Sequence, residues 1–341
     1  RVEFARGAAA KSLSSPEARS RWSEAIDAIA TSPLYGGLRL SPQFGLLPIG
    51  PDRASGLWEF WHVQSGDEPV RGTDGKLVMA ESTGIVLVLI PGGTFWMGAQ
   101  HSDPAGRHFD PQARDEEAPV HQVTLSAYFL SKYEMTQGQW THFVGRNPSN
   151  FFAGGSGIGG RVATLIQPVE QVSWNDAAQA LLRLGLQLPT EAQWERGARA
   201  GTDTRWSSGE DRDSLRGAAN LADQAAAAAG IVWLDIKDWP ELNDGWAAQA
   251  PVGSYLPNAF GMHDVHGNIW EWCRDGFDPA FYAKSPASEP LMDPSGVRTR
   301  VCRGGSLANA ASFARSSSRN FSNPEASAYD TGVRPARQVA P

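Results

Sequence analysis

Cysteine is almost missing. The 341 residues include two, Cys273 and Cys302. That is too few for a disulfide framework, so a reduced, cytoplasmic protein is expected. Long hydrophobic runs are missing too. The longest, Ile85-Val86-Leu87-Val88-Leu89-Ile90, has the length of a strand, not of a membrane span. No secretory apolar region opens the sequence, and none is expected to direct export. Positive charge is in deficit: the net charge is −7 and the pI is near 5.5. That balance argues against nucleic acid or a polybasic membrane contact as partners. What is abundant is Trp, at 13, and Gly, at 36. Together they suggest a loop-rich fold in which large rings fill the spaces between irregular segments. A chain that is 41% hydrophobic at this length can bury a large core, in one domain or two.

The first eighty residues read as an accessory region docked on the main domain. Residues 1–14 are expected to fray. Ser15-Pro16-Glu17 starts a helix, with Ser as N-cap and Pro at the first helical position, and Trp22, Ala25, Ile26 and Ile29 give it an apolar stripe. Gly36–Leu40 and Leu57–Val63 alternate like strands. The main domain, 81–341, opens at Ile85–Ile90, and Gly92-Gly93 reads as a hairpin turn. No Lys-Ser/Thr comes after these glycines, which removes a phosphate-binding reading. Val120–Tyr128 alternates as a strand after a polar loop at 99–118. Three helices then begin with one device. Thr136, Ser173 and Thr190 each stand three residues before Gln139, Asp176 and Gln193, at capping-box spacing. Gly145 and Gly185 stand where C-terminal caps belong. Gly154–Gly160 reads as a flexible loop, and Ala225–Ala229 as a helix turn or a bulge. Ile269–Cys273 is a strand whose Glu271, set between Trp270 and Trp272, needs a partner if buried.

The segment Arg300–Arg337 organises the rest. Strand-like Arg300–Arg303 enters a Gly304-Gly305-Ser306 turn, and Asp330–Arg334 closes the segment before Pro335. The Ala-, Ser- and Asn-rich stretch between them reads as a presented surface, too small and polar for a core. Arg315 and Arg319 would be neighbours one turn apart if that stretch were helical.

Six blocks in order carry a resemblance: PGGTFWMG, APVHQVTLSAYFLSKYEMTQGQW, PVEQVSWNDAAQ, LQLPTEAQWERGARAG, NAFGMHDVHGNIWEW and RVCRGGS…GVRPAR. They resemble the formylglycine-generating enzyme (sulfatase-modifying factor) family over about residues 83–337. The resemblance implies an α+β fold, C-type-lectin-like, with much irregular structure and a small N-terminal helix-and-strand extension. In the family's oxidases two cysteines after the RGGS turn bind copper(I), which soft thiolates hold and present to dioxygen. The matching positions here are Asn309 and Ala314, which cannot ligate it. No copper and no catalytic residue is therefore expected, and Cys273 and Cys302 read as small buried residues. The family's two structural calcium sites imply one site at Asn220, Leu221, Asp244 and Trp246. They imply a second at Asp264, Gly267, Ile269 and Glu271, where the ion would serve as Glu271's partner. His263 and His266 flank that turn without a third ligand for zinc.

The resemblance implies two candidate functions. The same scaffold is used by the variable proteins of diversity-generating retroelements, whose C-terminal segment is randomised at adenine-containing codons. Residues 307–331 hold the Asn, Ser, Ala, Phe, Tyr, Asp and Thr that such codons yield, and lack Lys, Gln, Met and Trp. Candidate ligand-binding positions are Ala308, Asn309, Ala310, Ser312, Phe313, Asn320, Phe321, Ser322, Ala328, Tyr329 and Asp330, with a protein or peptide as ligand. The alternative is a cysteine-free oxidoreductase acting on a peptide or small molecule. It lacks any convergent acid, base and nucleophile in the C-terminal block.

Overall fold

Val86–Ile90 (β5) is buried at every position, as suits a central strand covered on both faces. It is the middle of a five-stranded sheet in the order β1-β2-β5-β8-β13, built from Leu46–Pro51 (β1), Trp58–His62 (β2), Tyr128–Ser131 (β8) and Ala336–Gln338 (β13). All its pairings are antiparallel. A second sheet, order β11-β10-β9-β12, joins Asn320–Ser322 (β11), Arg300–Arg303 (β10), Trp270–Gly276 (β9) and Thr331–Gly332 (β12). Gly93–Met97 (β6) pairs with His121–Leu125 (β7), and Val70–Arg71 (β3) with Leu77–Val78 (β4). The structure is a computed structural model and describes residues 7–152, 154, 159 and 161–340.

The helices are α1 (Pro16–Thr31), α2 (Gln137–Val144), α3 (Trp174–Arg183), α4 (Glu191–Arg199) and α5 (Gln224–Ala228). Ser15 caps α1 by accepting from the Ala18 amide. Thr136 and Thr190 form complete reciprocal boxes with Gln139 and Gln193. Ser173 accepts from the Asp176 amide, but its hydroxyl turns to the Asp176 carboxylate at 2.9 Å. The shorter acid does not complete a reciprocal box. The Ala-rich run is helical, capped by Asp223.

One core spans both sheets and α1, taking in Trp22, Phe60, Leu87, Phe129, Trp194, Trp272, Val301 and Val333. The first eighty residues thus supply two strands of the central sheet and part of the common core. Three expectations are corrected. Ala10–Ser14 is an ordered turn, because buried Ser12 accepts from Trp22 Nε1 at 2.7 Å and from the Gly45 amide at 3.0 Å; residues 1–6 lie outside the described residues. Gly92-Gly93 is not a hairpin turn, since it passes the chain from β5 to β6 in a different sheet. Gly36–Leu40 is a turn followed by irregular chain, not a strand. The expected loop Gly154–Gly160 falls mostly outside the described residues. No helix among the described residues is long and apolar enough to cross a membrane.

Candidate functional site

The turn after β10 requires glycine. Gly304 and Gly305 have φ of +100° and +75°, a region that L side chains rarely adopt. A Cβ on Gly305 would also stand 3.0 Å from the Ala314 backbone. The close approach lets the chain fold back so that residues from both arms of the segment reach Ser306. The Ser306 hydroxyl lies 2.8 Å from Asn309 Oδ1 and 2.9 Å from Asp330 Oδ2. Its one proton serves one oxygen at a time. Burial raises the proton affinity of the Asp330 carboxyl, and the hydrogen bond from Ser306 opposes that rise.

Around this centre, Tyr329 stacks on Trp233 at 5.4 Å and meets Phe151 edge-on at 6.1 Å. Phe313 meets Trp270 edge-on at 6.5 Å, with the Arg114 guanidinium 4.9 Å from its ring. The Trp270 amide donates to the Asp330 carbonyl at 2.7 Å. Ala308, Asn309, Ser312, Phe313, Ala328, Tyr329 and Asp330 are therefore half-buried residues gathered near one turn. Asn320, Phe321 and Ser322 lie apart, on β11 at the opposite edge of the sheet from β12, with Phe321 stacked on Phe277 at 4.2 Å. Ala310 is buried, and its amide donates to Asp235 Oδ2 at 3.0 Å.

The middle of the segment is not a presented surface. Ala314 through Arg319 are all buried. Only Ala311–Ala314 makes a helical turn, so Arg315 and Arg319 diverge instead of stacking. Arg315 pairs with Asp110 at 2.9 Å and Glu117 at 2.7 Å; Arg319 pairs with Glu191 at 2.7 Å. Arg303 joins Glu191 and Glu195 from β10. A polar segment becomes core because each guanidinium meets a carboxylate delivered by α4 or by the 99–118 loop. Cys273 and Cys302 sit inside neighbouring strands, and burial pushes both thiols well above the ordinary range. They are neutral, hidden groups.

The residues expected to hold cations come together as two loops. At the first, the Asp244 carboxylate accepts from the Leu221 amide at 2.8 Å and the Trp246 amide at 3.0 Å. Asn220 Nδ2 donates to Ala248 O and Asn268 Oδ1, while its buried Oδ1 has no partner. Burial, then the charge of Asp223, push Asp244 up to about 7. At the second, Asp264 Oδ2 accepts from the Gly253 amide at 2.7 Å, and Oδ1 is buried without a partner. Burial pushes Asp264 up to about 7. Glu271 has protein partners: both its oxygens accept from Arg334, and Oε2 also accepts from Trp194 Nε1 at 2.6 Å. Glu134 accepts from the Ile269 amide and from Asn268 Nδ2. Burial, then the charges of Asp264 and Glu271, raise it well above the carboxyl range. Unmatched oxygens beside carboxyl groups short of positive charge fit a hard cation. Among the described residues no three His, Cys, Asp or Glu form a metal-holding group, so such a site leans on amide and carbonyl oxygens. The two histidines serve the backbone: His266 Nδ1 faces Ala314 O at 2.7 Å and His263 Nδ1 faces Tyr255 O at 2.8 Å.

Sequence reading missed Glu134, Asp223, Phe151 and Trp233. Asp223 was the findable one, three residues from Asn220 and ahead of the Ala run that it caps. Trp233 has no periodic or spacing signal that ties it to Tyr329.

Residues 77–339 match the family described as "Sulfatase-modifying factor enzyme 1-like domain". A formylglycine-generating enzyme of Thermomonospora curvata is 31% identical over 299 residues, covering 73% of this chain and 92% of that protein. PvdO from Pseudomonas aeruginosa superposes with a TM-score of 0.60 at 24% identity, over 80% of this chain and 98% of that one. Treponema denticola variable protein 1 does so with a TM-score of 0.60 at 24% identity, over 77% and 98%. The fold is thus α+β and C-type-lectin-like. With two sheets on one core, a glycine turn at Ser306 and a match over nearly all of the main domain, the chain belongs to the sulfatase-modifying factor enzyme 1-like family.

Proposed function

We propose that the protein binds a protein or peptide ligand through the half-buried residues around Ser306 and does not carry out copper-dependent oxidation. The observation that carries this is the pairing of Asn309 and Asp330 across the Ser306 hydroxyl, where one of the two matching cysteine positions holds an amide side chain. The other, Ala314, is an aliphatic residue with no exposed surface. Neither residue offers a soft ligand. Aromatic anchors (Phe313, Tyr329) among small polar side chains suit an adaptable recognition surface. A solved neighbour of the same fold is named a variable protein, which supports reading residues 307–331 as a diversified segment. Calcium belongs to this proposal as a brace for the two loops at Asn220–Asp244 and Asp264–Glu271.

The test has two arms. Panning a displayed peptide library on the immobilised protein should yield binders that Tyr329→Ala and Phe313→Ala weaken at least tenfold; binders indifferent to both would place recognition elsewhere. Diversification requires a near-copy of the DNA for residues 307–331 differing only at adenines, beside a reverse transcriptase gene. Without such a copy the binding role stands and diversification falls. The second reading, a cysteine-free oxidoreductase, is favoured by the naming of curated relatives as formylglycine-generating enzymes. Oxygen uptake with a thiol peptide would support it.

A further inference from the structure

A cavity of about 420 Å³ opens between β6 and the C-terminal end of α4, far along the chain from the Ser306 turn. Phe95, Trp96 and Phe260 give it flat apolar walls, and Arg107, Arg196, Arg199 and Asp203 give it charge. Three of those charges are already matched. Arg199 pairs with Glu195 at 2.8 Å, and Arg107 pairs with Asp203, which also receives His108 Nε2.

Arg196 differs. Its Nε and Nη2 both donate to the Pro91 carbonyl, at 3.2 and 2.8 Å. Among the described residues it forms no ion pair, although it is half-buried and its guanidinium stands 5.8 Å from the Phe95 ring centre. A partly buried cation that meets only a neutral carbonyl remains short of negative charge. Arg303, Arg315, Arg319 and Arg334, which are buried more deeply, each have a carboxylate. The Pro91 contact also holds Arg196 in place, so a ligand need not order it.

We propose that this cavity binds a small organic anion, a carboxylate or phosphate carried on a flat apolar body. The anion takes the remaining donor capacity of Arg196, and the body lies against Phe95, Trp96 and Phe260. A cavity of this volume is of the size that small ligands occupy. A charge-assisted contact to guanidinium gives the orientation.

Calorimetric titration of the full chain with benzoate, phenyl phosphate and neutral benzamide tests this. One saturable site is expected for at least one anion, with benzamide at least tenfold weaker. Preference between benzoate and phenyl phosphate tells carboxylate from phosphate. Arg196→Met keeps the apolar stem and should weaken the anion at least tenfold. Should that variant fail to fold, Arg196→Gln, whose uncharged amide can still donate to the Pro91 carbonyl, should do the same. No saturable binding of either anion, equal binding of benzamide, or unchanged binding by the folded variants would overturn the proposal.

Discussion

Arg334 and Glu271 meet inside the protein as a two-pronged ion pair. Nε donates to Oε2 at 2.8 Å and Nη2 to Oε1 at 2.6 Å, with neither side chain exposed. Arg334 also donates to the carbonyls of Ser131 and His263. One residue thus ties β9, the end of β8 and the Asp264 turn together. Removing only the cation leaves a buried carboxylate among two others, Glu134 and Asp264. Arg334→Met should therefore cost about 3–5 kcal/mol in urea unfolding. Removing both charges, in Arg334→Met with Glu271→Leu, should cost less than the single change. A double variant no more stable than Arg334→Met would show that the unpaired charge is not the cause.

Glu170 gives a pH dependence whose sign can be worked out. Burial pushes its carboxyl up to about 7, against about 4.3 in an unfolded chain. Between those values the folded state holds a proton that the unfolded state has released, so stability declines as pH rises from about 4 through about 7. Its Oε1 accepts from the Phe151 amide, while Oε2 is buried without a partner, as is Gln249 Oε1. Glu170→Gln places an uncharged amide there. Urea unfolding at pH 5 and pH 8 should show wild type losing more stability than the variant. At pH 8 the variant should be ahead by about 1 kcal/mol, the scale of one net hydrogen bond. Equal slopes would contradict the assignment to Glu170.

Local chemistry was legible in the sequence where it rests on neighbours a few residues apart. The Thr136 and Thr190 capping boxes, the strand through Trp270–Cys273 and the glycine turn at Ser306 all depend on spacing within one short stretch. Arg315 and Arg319 were misread because a run of Ser, Ala and Arg looks like surface until Glu117 and Glu191, well over a hundred residues away in sequence, arrive beside it. Sequence separation also hid the partner of Glu271, which stands 63 residues away. A carboxylate's need for a partner can be read from its two Trp neighbours, but Arg334 is supplied by tertiary packing. Of the candidate ligand surface, the arms at 308–313 and 328–330 were placed together by one turn. Residues 320–322 were displaced to the far sheet edge by strand pairing that composition does not encode.

Calcium should act on stability through the two loops. Unpartnered Asn220 Oδ1 and Asp264 Oδ1 mark where it would bind. Calcium at one hundred times its dissociation constant should add about 2.7 kcal/mol for each site filled. A thermal melt at pH 7.5 should move upward with calcium and back with a chelator. Asp244→Asn and Asp264→Asn should each lose part of that response. A melt that ignores both calcium and chelator would remove the brace.

The direct test of the central claim is an anaerobic copper(I) titration against a competing chelator, then oxygen uptake with a thiol peptide. With Asn309 and Ala314 after the turn and both thiols buried, the protein should fail to draw copper from the chelator and should consume no oxygen above the copper blank. One tightly held copper per chain, with peptide-dependent oxygen uptake, would contradict the account.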